Sequence, residues 1–259
     1  MIRTLRSTPE PADYAPDDPD EPEEPPKAEL GTAPGVHRAV WNLRHEGAKK
    51  IKPGKLDGGS PDEGPVALPG TYTARLVVQG KTYTAPLVVR PDPRVKLPPQ
   101  TLADQLRFGL ELRDQVTRLT GVVDDIRSVR RQLAVRADLW KAEPKASGLV
   151  TGAQGLTGKL DSLEARLHNP RAQVVYDILA QRGGAKLYSR LVPLYTGVVE
   201  ADGAPTQGMR EVYAGLKKEL DGLDSEFRGL VTTDLAALNR MARELNLGDV
   251  SVPGAARGR

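Results

Sequence analysis

The hydrophobic pattern of this chain changes its period at two adjacent prolines, Pro98 and Pro99. Before them, apolar residues alternate with polar ones, as along a β-strand that buries one face. After them, apolar residues recur every three or four positions, as along one face of an α-helix. The sequence therefore predicts a multidomain α+β chain, with a β module over residues 1–93 and a helical domain over residues 98–247. Residues 248–259 are predicted to be a flexible tail.

The β module contains a predicted hairpin. Two runs rich in β-branched and aromatic residues, 69–78 and 81–89, flank Gln79 and Gly80, and a two-residue turn that ends in glycine is typical of tight hairpins. Pro86 cannot donate to a strand ladder, so its strand is predicted to lie at an edge. One face of the hairpin is predicted to carry Tyr72, Ala74, Leu76, Val78, Tyr83, Ala85, Leu87 and Val89.

A further strand is predicted over residues 35–44, where apolar and polar side chains alternate and Trp41 would anchor the strand in a core. Ahead of it, residues 9–29 hold seven prolines and nine acidic residues. Like charges repel and proline blocks ladder pairing, so this segment is predicted to be a disordered insertion. It is interpreted as a surface loop, with a flexible acidic tether as the alternative.

The helical domain is predicted to be an antiparallel bundle. Apolar residues follow steps of four and three from Leu112 to Ile126, and again from Leu156 to Leu167. Shorter helices are predicted over residues 173–179 and 186–199, and Thr206 is the predicted N-cap of the last long helix. The apolar seams predict packing within the chain, with dimerisation as the alternative.

Three segments of the β module, Ile2–Leu5, Gly35–Arg44 and Leu68–Leu76, resemble the immunoglobulin-like module of the flagellar hook-capping type. Trp41 and Tyr72 stand in the order that this module has. The resemblance implies an N-terminal Ig-like β-sandwich. The chain departs from the module where the acidic insertion separates the first strand from the second, and where the usual opening hairpin is missing.

The whole chain resembles the C-terminal region of bacterial proteins built on sortilin-like, BNR-repeat β-propellers. The resemblance covers nearly all of residues 1–247 and includes Leu167–Pro170 and Asp202–Met209. It implies a non-catalytic accessory or interaction region of a larger propeller protein, with the propeller as its protein partner in cis or in trans. Because such proteins are often named glycosyl hydrolases or sialidase-like, the alternative is part of an enzyme whose active site lies on an absent propeller. The chain alone is interpreted as non-catalytic, and its enzymatic status stays open.

Composition excludes several kinds of site. The chain has no cysteine, which excludes a disulfide scaffold, a thiolate metal site and a cysteine nucleophile, and its three histidines are far apart in sequence. Asp124 and Asp125 are neighbours on a predicted helix and diverge, so they do not form a catalytic pair. The sequence predicts no catalytic, cofactor-binding or metal-binding residues and no cofactor.

The net charge of +3 is unevenly divided, since residues 1–29 carry −6 and the other 230 residues carry +9. A basic face on the first long helix gives a third hypothesis, a polyanion-binding module. Its residues are Arg127, Arg130, Arg131 and Arg136. Pairing of these arginines with aspartates of the same helix is the favoured interpretation, and nucleic acid is a disfavoured partner because aromatic residues are only 4% of the chain.

Apolar runs fall far short of the ~20 residues that span a bilayer, so no membrane span is predicted. Residues 1–7 lack the apolar stretch of a signal peptide. The chain as given is predicted to be cytoplasmic, or periplasmic or extracellular if it is the tail of a longer secreted protein. The pattern does not specify the oligomeric state.

Overall fold

The computed structural model describes residues 1–8, 29–94, 96–179, 183–201 and 203–253. The predicted insertion therefore lies almost wholly outside the described residues. The chain is α+β, as predicted. The strands are β1 (Arg44–Glu46), β2 (Glu63–Val66), β3 (Gly70–Val78) and β4 (Lys81–Val89), and the helices are α1 (Pro99–Trp140), α2 (Ser147–Leu167), α3 (Val175–Leu179), α4 (Leu187–Val199), α5 (Gln207–Leu230) and α6 (Ala236–Glu244).

The four strands form two separate antiparallel pairs, β1 with β2 and β3 with β4. The long pair is the predicted hairpin, and its register runs without interruption from Val78 opposite Lys81 to Gly70 opposite Val89. Gln79 and Gly80 both have positive φ, 48° and 74°, which is the geometry of a type I′ turn. The hairpin prediction is confirmed, whereas these two pairs do not confirm a sandwich.

The strand predicted over residues 35–44 is wrong except at its last residue, because regular pairing starts only at Arg44. The Asn42 side chain accepts a hydrogen bond from the Arg44 backbone N–H at 3.2 Å, and Leu43 has a φ of 61°. This local turn replaces the extended conformation. Trp41 is half-buried instead of being a core anchor: its indole N–H donates to the Arg44 carbonyl, and its ring meets Tyr72 edge to face.

The helical core is centred on α1, which packs against α2, α4 and α5. The helix begins at Pro99, where a missing N–H costs no hydrogen bond, and its 42 residues span about 60 Å. The predicted seams from Leu112 to Ile126 and from Leu156 to Leu167 are buried inside a single chain. The prediction that these seams pack internally is confirmed.

The remaining helices follow the sequence signals closely. Thr206 caps α5 as predicted, because its hydroxyl accepts a hydrogen bond from the Met209 N–H at 3.2 Å. The chain leaves α5 through a π-helical turn, Val231–Leu235, and continues directly into α6. A π turn holds one residue more than an α turn, so it resets which face of the continuing helix meets α2.

The loop between β1 and β2, residues 47–62, which we call the Ile51 loop, belongs to the helical core. Ile51 is only 1% exposed and, with Ala48, joins the same apolar cluster as the buried residues of α1, α2 and α4. The backbone on either side of it is held by α1: the Thr120 hydroxyl donates to the Lys49 carbonyl at 2.9 Å. The loop is therefore fixed to the helices at a position where the sequence predicts only irregular structure.

Helix α5 carries glycines at intervals of seven residues. At three of them, Gly215, Gly222 and Gly229, an added Cβ would have no atom within 4 Å beyond the helix itself and its chain neighbours. Glycine inside a helix costs about 0.5–1 kcal/mol relative to alanine, and here nothing packs against it in compensation. We expect Gly215→Ala, Gly222→Ala and Gly229→Ala each to stabilise the chain by roughly this amount in urea unfolding.

The matched control for these substitutions is Gly80→Ala in the hairpin turn. It also has no atom near the added Cβ, but its φ of +74° is costly for any residue with a Cβ. Gly80→Ala should therefore destabilise the hairpin. If the three α5 substitutions destabilised the chain, the conclusion that these glycines face open space would be wrong.

Candidate functional site

Two arginines of the basic face predicted on α1 form ion pairs with acidic residues of α2. The Arg127 Nε lies 2.7 Å from Glu164 Oε1, and Arg130 contacts both Glu164 and Asp161. The expected pairing with aspartates of α1 is therefore wrong for these two arginines, which pair across the interface between two helices.

Glu164 is the buried centre of a group of ionisable side chains that we call the Glu164 cluster, formed by Glu164, Arg127, Arg130 and His168. The Glu164 side chain is 3% exposed and that of His168 is 2% exposed. The His168 Nε2 lies 2.9 Å from Glu164 Oε1. Burial by itself raises the pKa of Glu164, but hydrogen bonds from His168 and Arg127 outweigh burial and lower this pKa to about 2.

The Glu164 cluster fastens the Ile51 loop to two helices. While its Nε binds Glu164, Arg127 donates its Nη1 to the Lys52 carbonyl and its Nη2 to the Pro53 carbonyl, both at 3.0 Å. A carboxylate that stays ionised down to about pH 2 is a poor general acid or base at neutral pH. The arrangement is therefore that of a structural clamp.

A second ion network connects α1 with α5. Arg118 binds Asp224 through Nε and Nη2 and binds Asp221 through Nη1. Asp224 is 7% exposed at its side chain and also accepts from Arg228 of the following turn. Burial by itself raises the pKa of Asp224, but the hydrogen bonds from Arg118 and Arg228 outweigh burial, so the pKa is lowered overall. The charges of this network are therefore paired with one another, as in the Glu164 cluster.

Two shallow grooves run beside α5, and both are lined by Gly215 and Glu219. Ion pairs of Arg190 with Glu219 and of Arg166 with Glu226 lie along them. Charges of both signs therefore line these grooves, and their arginines are paired with glutamates.

The β3–β4 hairpin exposes large apolar side chains. Both of its faces are exposed: Leu76, Tyr83 and Leu87 on one face are 53%, 54% and 40% exposed, and Val77 and Val88 on the other are 57% and 60% exposed. None of its residues belongs to the helical core. A two-stranded hairpin in water is marginal unless a third strand or a helix covers it.

The apolar face of the hairpin continues toward the body of the molecule. Tyr72 is half-buried at its base, where its hydroxyl donates to the Leu68 carbonyl at 2.5 Å and its ring meets Trp41 at a centroid distance of 5.6 Å. Together these side chains make an apolar strip from Trp41 to Tyr83. We call this strip, formed by Trp41, Tyr72, Leu76, Tyr83 and Leu87, the hairpin face.

Among the described residues, no group of three or more histidine, aspartate or glutamate side chains could hold a metal ion. No helix in the same part of the chain is both long and apolar enough to cross a membrane. Comparison with protein-family models, with curated proteins and with solved structures found no match for the chain.

The sequence singled out neither Glu164 nor His168, and their spacing is the signal that could have identified them. Glu164 follows Leu160 by four residues, so it lies beside the leucine seam of α2, and His168 follows at the next turn. A carboxylate that is buried beside an apolar stripe is costly unless it is paired with a cation or hydrogen-bonded. Nothing in the pattern of α2 indicates that the partner comes from α1.

Proposed function

We propose that this chain is a non-catalytic interaction region of a larger protein of the sortilin-like, BNR-repeat type, and that the hairpin face binds a β-propeller in cis or in trans. The observation that carries the proposal is the two-stranded hairpin with both faces exposed. Apolar side chains exposed together mark interaction surfaces more often than scattered ones do. The sequence resemblance supplies the identity of the partner.

We also infer that the β module is an Ig-like sandwich, as the sequence resemblance implies, and that the helices form an antiparallel bundle around α1. A sandwich consists of two packed sheets, and the β module has two separate antiparallel strand pairs. The packing of α1 against α2, α4 and α5 supports the bundle.

The ion pairs favour this function over polyanion binding. Arg127 and Arg130 of the predicted basic face bind Glu164 and Asp161, so only Arg131 and Arg136 of that face are left without those partners. The Arg136 guanidinium also lies against Gly248. Polyanion binders gain affinity from several free cations, and this face offers few of them.

The test is binding to the propeller. Genomic sequence around this reading frame would supply a candidate propeller, to be expressed as a separate chain and titrated calorimetrically. We expect Leu76→Ser, Tyr83→Ser and Leu87→Ser, combined in one variant, to raise the Kd at least tenfold, because side chains at the centre of an interface contribute more than about 1 kcal/mol each.

The matched control combines Val135→Ser with Leu139→Ser, two apolar residues of α1 that are 64% and 62% exposed. This control should bind like the unmodified chain. Equal losses in both variants, or no complex with the propeller, would contradict the proposal. Turnover of fluorogenic glycosides or sialosides by the purified chain would favour the enzyme alternative instead.

A further inference from the structure

We propose that the outer edge of β3 accepts an extended acidic segment of a partner protein as an added β-strand. This inference rests on the proposed function, an interaction region, and names the chemistry of the partner and the way it binds. Strand addition to an exposed sheet edge is a recurrent mode of peptide recognition, in which backbone hydrogen bonds provide affinity.

The register of the hairpin determines which backbone groups point outward. Val78 and Lys81 flank the two-residue turn and form a hydrogen-bonded pair, so hydrogen-bonded and non-hydrogen-bonded pairs alternate from there. Consequently, N–H and C=O groups on β3 point away from β4 at every second residue: Thr71, Thr73, Arg75 and Val77. No backbone hydrogen bond joins the outward groups of these four residues to another described part of the chain.

The opposite edge is interrupted by a proline. Pro86 pairs with Thr73 at a non-hydrogen-bonded position, so its nitrogen, which carries no hydrogen, belongs to the outer edge of β4. Proline on an edge strand blocks the addition of another strand there. Only the β3 edge therefore presents an uninterrupted row of donors and acceptors, over nine residues and about 30 Å.

The charge of the hairpin indicates an acidic partner. Arg75, Lys81 and Arg90 are the charged residues between 70 and 90, and no acidic residue lies among them. Just beyond, Asp92 is paired with Arg94. A second hairpin of the same sequence would bring three like charges against three. An acidic segment would pair with them and gain the electrostatic complementarity that selects partners.

The size of the hairpin argues against a second copy in another way. A face of two nine-residue strands measures about 30 Å by 10 Å, or roughly 300 Å², whereas stable interfaces bury about 800 Å² on each partner. Two hairpins stacked face to face would therefore make a weak dimer. An added strand would instead hydrogen-bond to the outward N–H and C=O groups of β3, and its side chains would extend the hairpin face.

The test uses amide hydrogen exchange on the full chain, followed by NMR. The probe is a nine-residue acetylated peptide that alternates glutamate with valine, matching the length of β3. We expect the amides of Thr73, Arg75 and Val77 to exchange at least tenfold more slowly with the peptide than without it. The outward amides of β4, at Thr82 and Thr84, should exchange at an unchanged rate.

Two matched variants test the edge directly. Thr73→Pro removes an outward N–H from β3, and Thr84→Pro removes one from β4; Pro86 shows that the hairpin accommodates proline at such a position. Peptide binding should weaken at least tenfold in the first variant and stay unchanged in the second. Arg75→Glu with Lys81→Glu, or a peptide with lysine in place of glutamate, should also weaken binding at least tenfold. Equal unfolding midpoints would establish that each variant is folded.

Several outcomes would overturn the inference. Slowed exchange along β4, or none on either strand, excludes an added strand on β3. A dimer in light scattering that Thr73→Pro disrupts identifies a second copy as the occupant. Binding to phosphatidylserine vesicles without binding to the peptide identifies a lipid surface. The proposed function is tested separately. If the propeller binds while the β3 amides stay unprotected, only the strand-addition inference is contradicted. If the peptide binds but no propeller complex forms, only the proposed propeller partner is contradicted.

Discussion

Replacing Glu164 with glutamine is expected to reduce the free energy of unfolding by about 3–5 kcal/mol, the usual loss when one partner of a buried ion pair is removed. Glutamine has nearly the same shape, so the loss reflects the missing charge. Arg127 would keep its positive charge in a site where its side chain is only 16% exposed. Its bonds to the Lys52 and Pro53 carbonyls would hold it there. Urea unfolding at neutral pH measures the effect.

The control for Glu164→Gln is Glu226→Gln. Glu226 also pairs with an arginine across two helices, but the Arg166 and Glu226 side chains are 49% and 46% exposed. Exposed pairs contribute about 0–1 kcal/mol, so this substitution should have little effect. Similar losses in the two variants would mean that the Glu164 cluster does not act as a buried clamp.

The stabilisation by Glu164 should also depend on pH. Its pKa is about 2 in the folded chain and about 4.3 in an unfolded one. A carboxylate with a depressed pKa stabilises fully above the unfolded value and loses its contribution as the pH falls toward the folded value. The difference in unfolding free energy between the unmodified chain and Glu164→Gln should therefore shrink between about pH 4.3 and pH 2.

Truncating Ile51 to alanine is expected to destabilise the chain by about 2–5 kcal/mol, the range for large-to-small changes in a packed core. Ile51 lies in a loop, but it is 1% exposed and surrounded by core residues of the helices. Ile51→Val removes one methylene group and should cost about 0.5–1.5 kcal/mol. Thermal and urea unfolding of both variants give the comparison.

Val40→Ala serves as the control for Ile51→Ala, since Val40 also lies in a non-regular segment of the β module but is 73% exposed. We expect a change within about 0.5 kcal/mol for this surface position. If Ile51→Ala were as mild as Val40→Ala, the loop would not be part of the helical core.

Patterns that are local in sequence predicted most of the fold. The hairpin follows from two strand-like runs and a Gln79-Gly80 turn, and both seams follow from apolar spacing within single helices. The prediction over residues 35–44 was wrong because alternation does not provide a neighbouring strand, and the Asn42 turn is the stronger local preference. The spacing of apolar residues does not show whether strand alternation or the local turn is the stronger preference.

The candidate sites depend on contacts between distant segments, and these were predicted less well. Glu164 meets Arg127 from another helix, and Ile51 enters the helical core from a loop that its glycines and prolines mark only as irregular. Charge and spacing on one helix show that a partner is needed, but only the folded chain identifies it. The exposure of the hairpin face was likewise absent from the pattern, because an alternating strand predicts a covered face.

The separation of the hairpin from the helical core also separates two kinds of constraint on the sequence. No residue of β3 or β4 belongs to that core, so substitutions on the hairpin are constrained by its own turn, its pairing and whatever it binds. The binding surface could therefore be redesigned without repacking the helices.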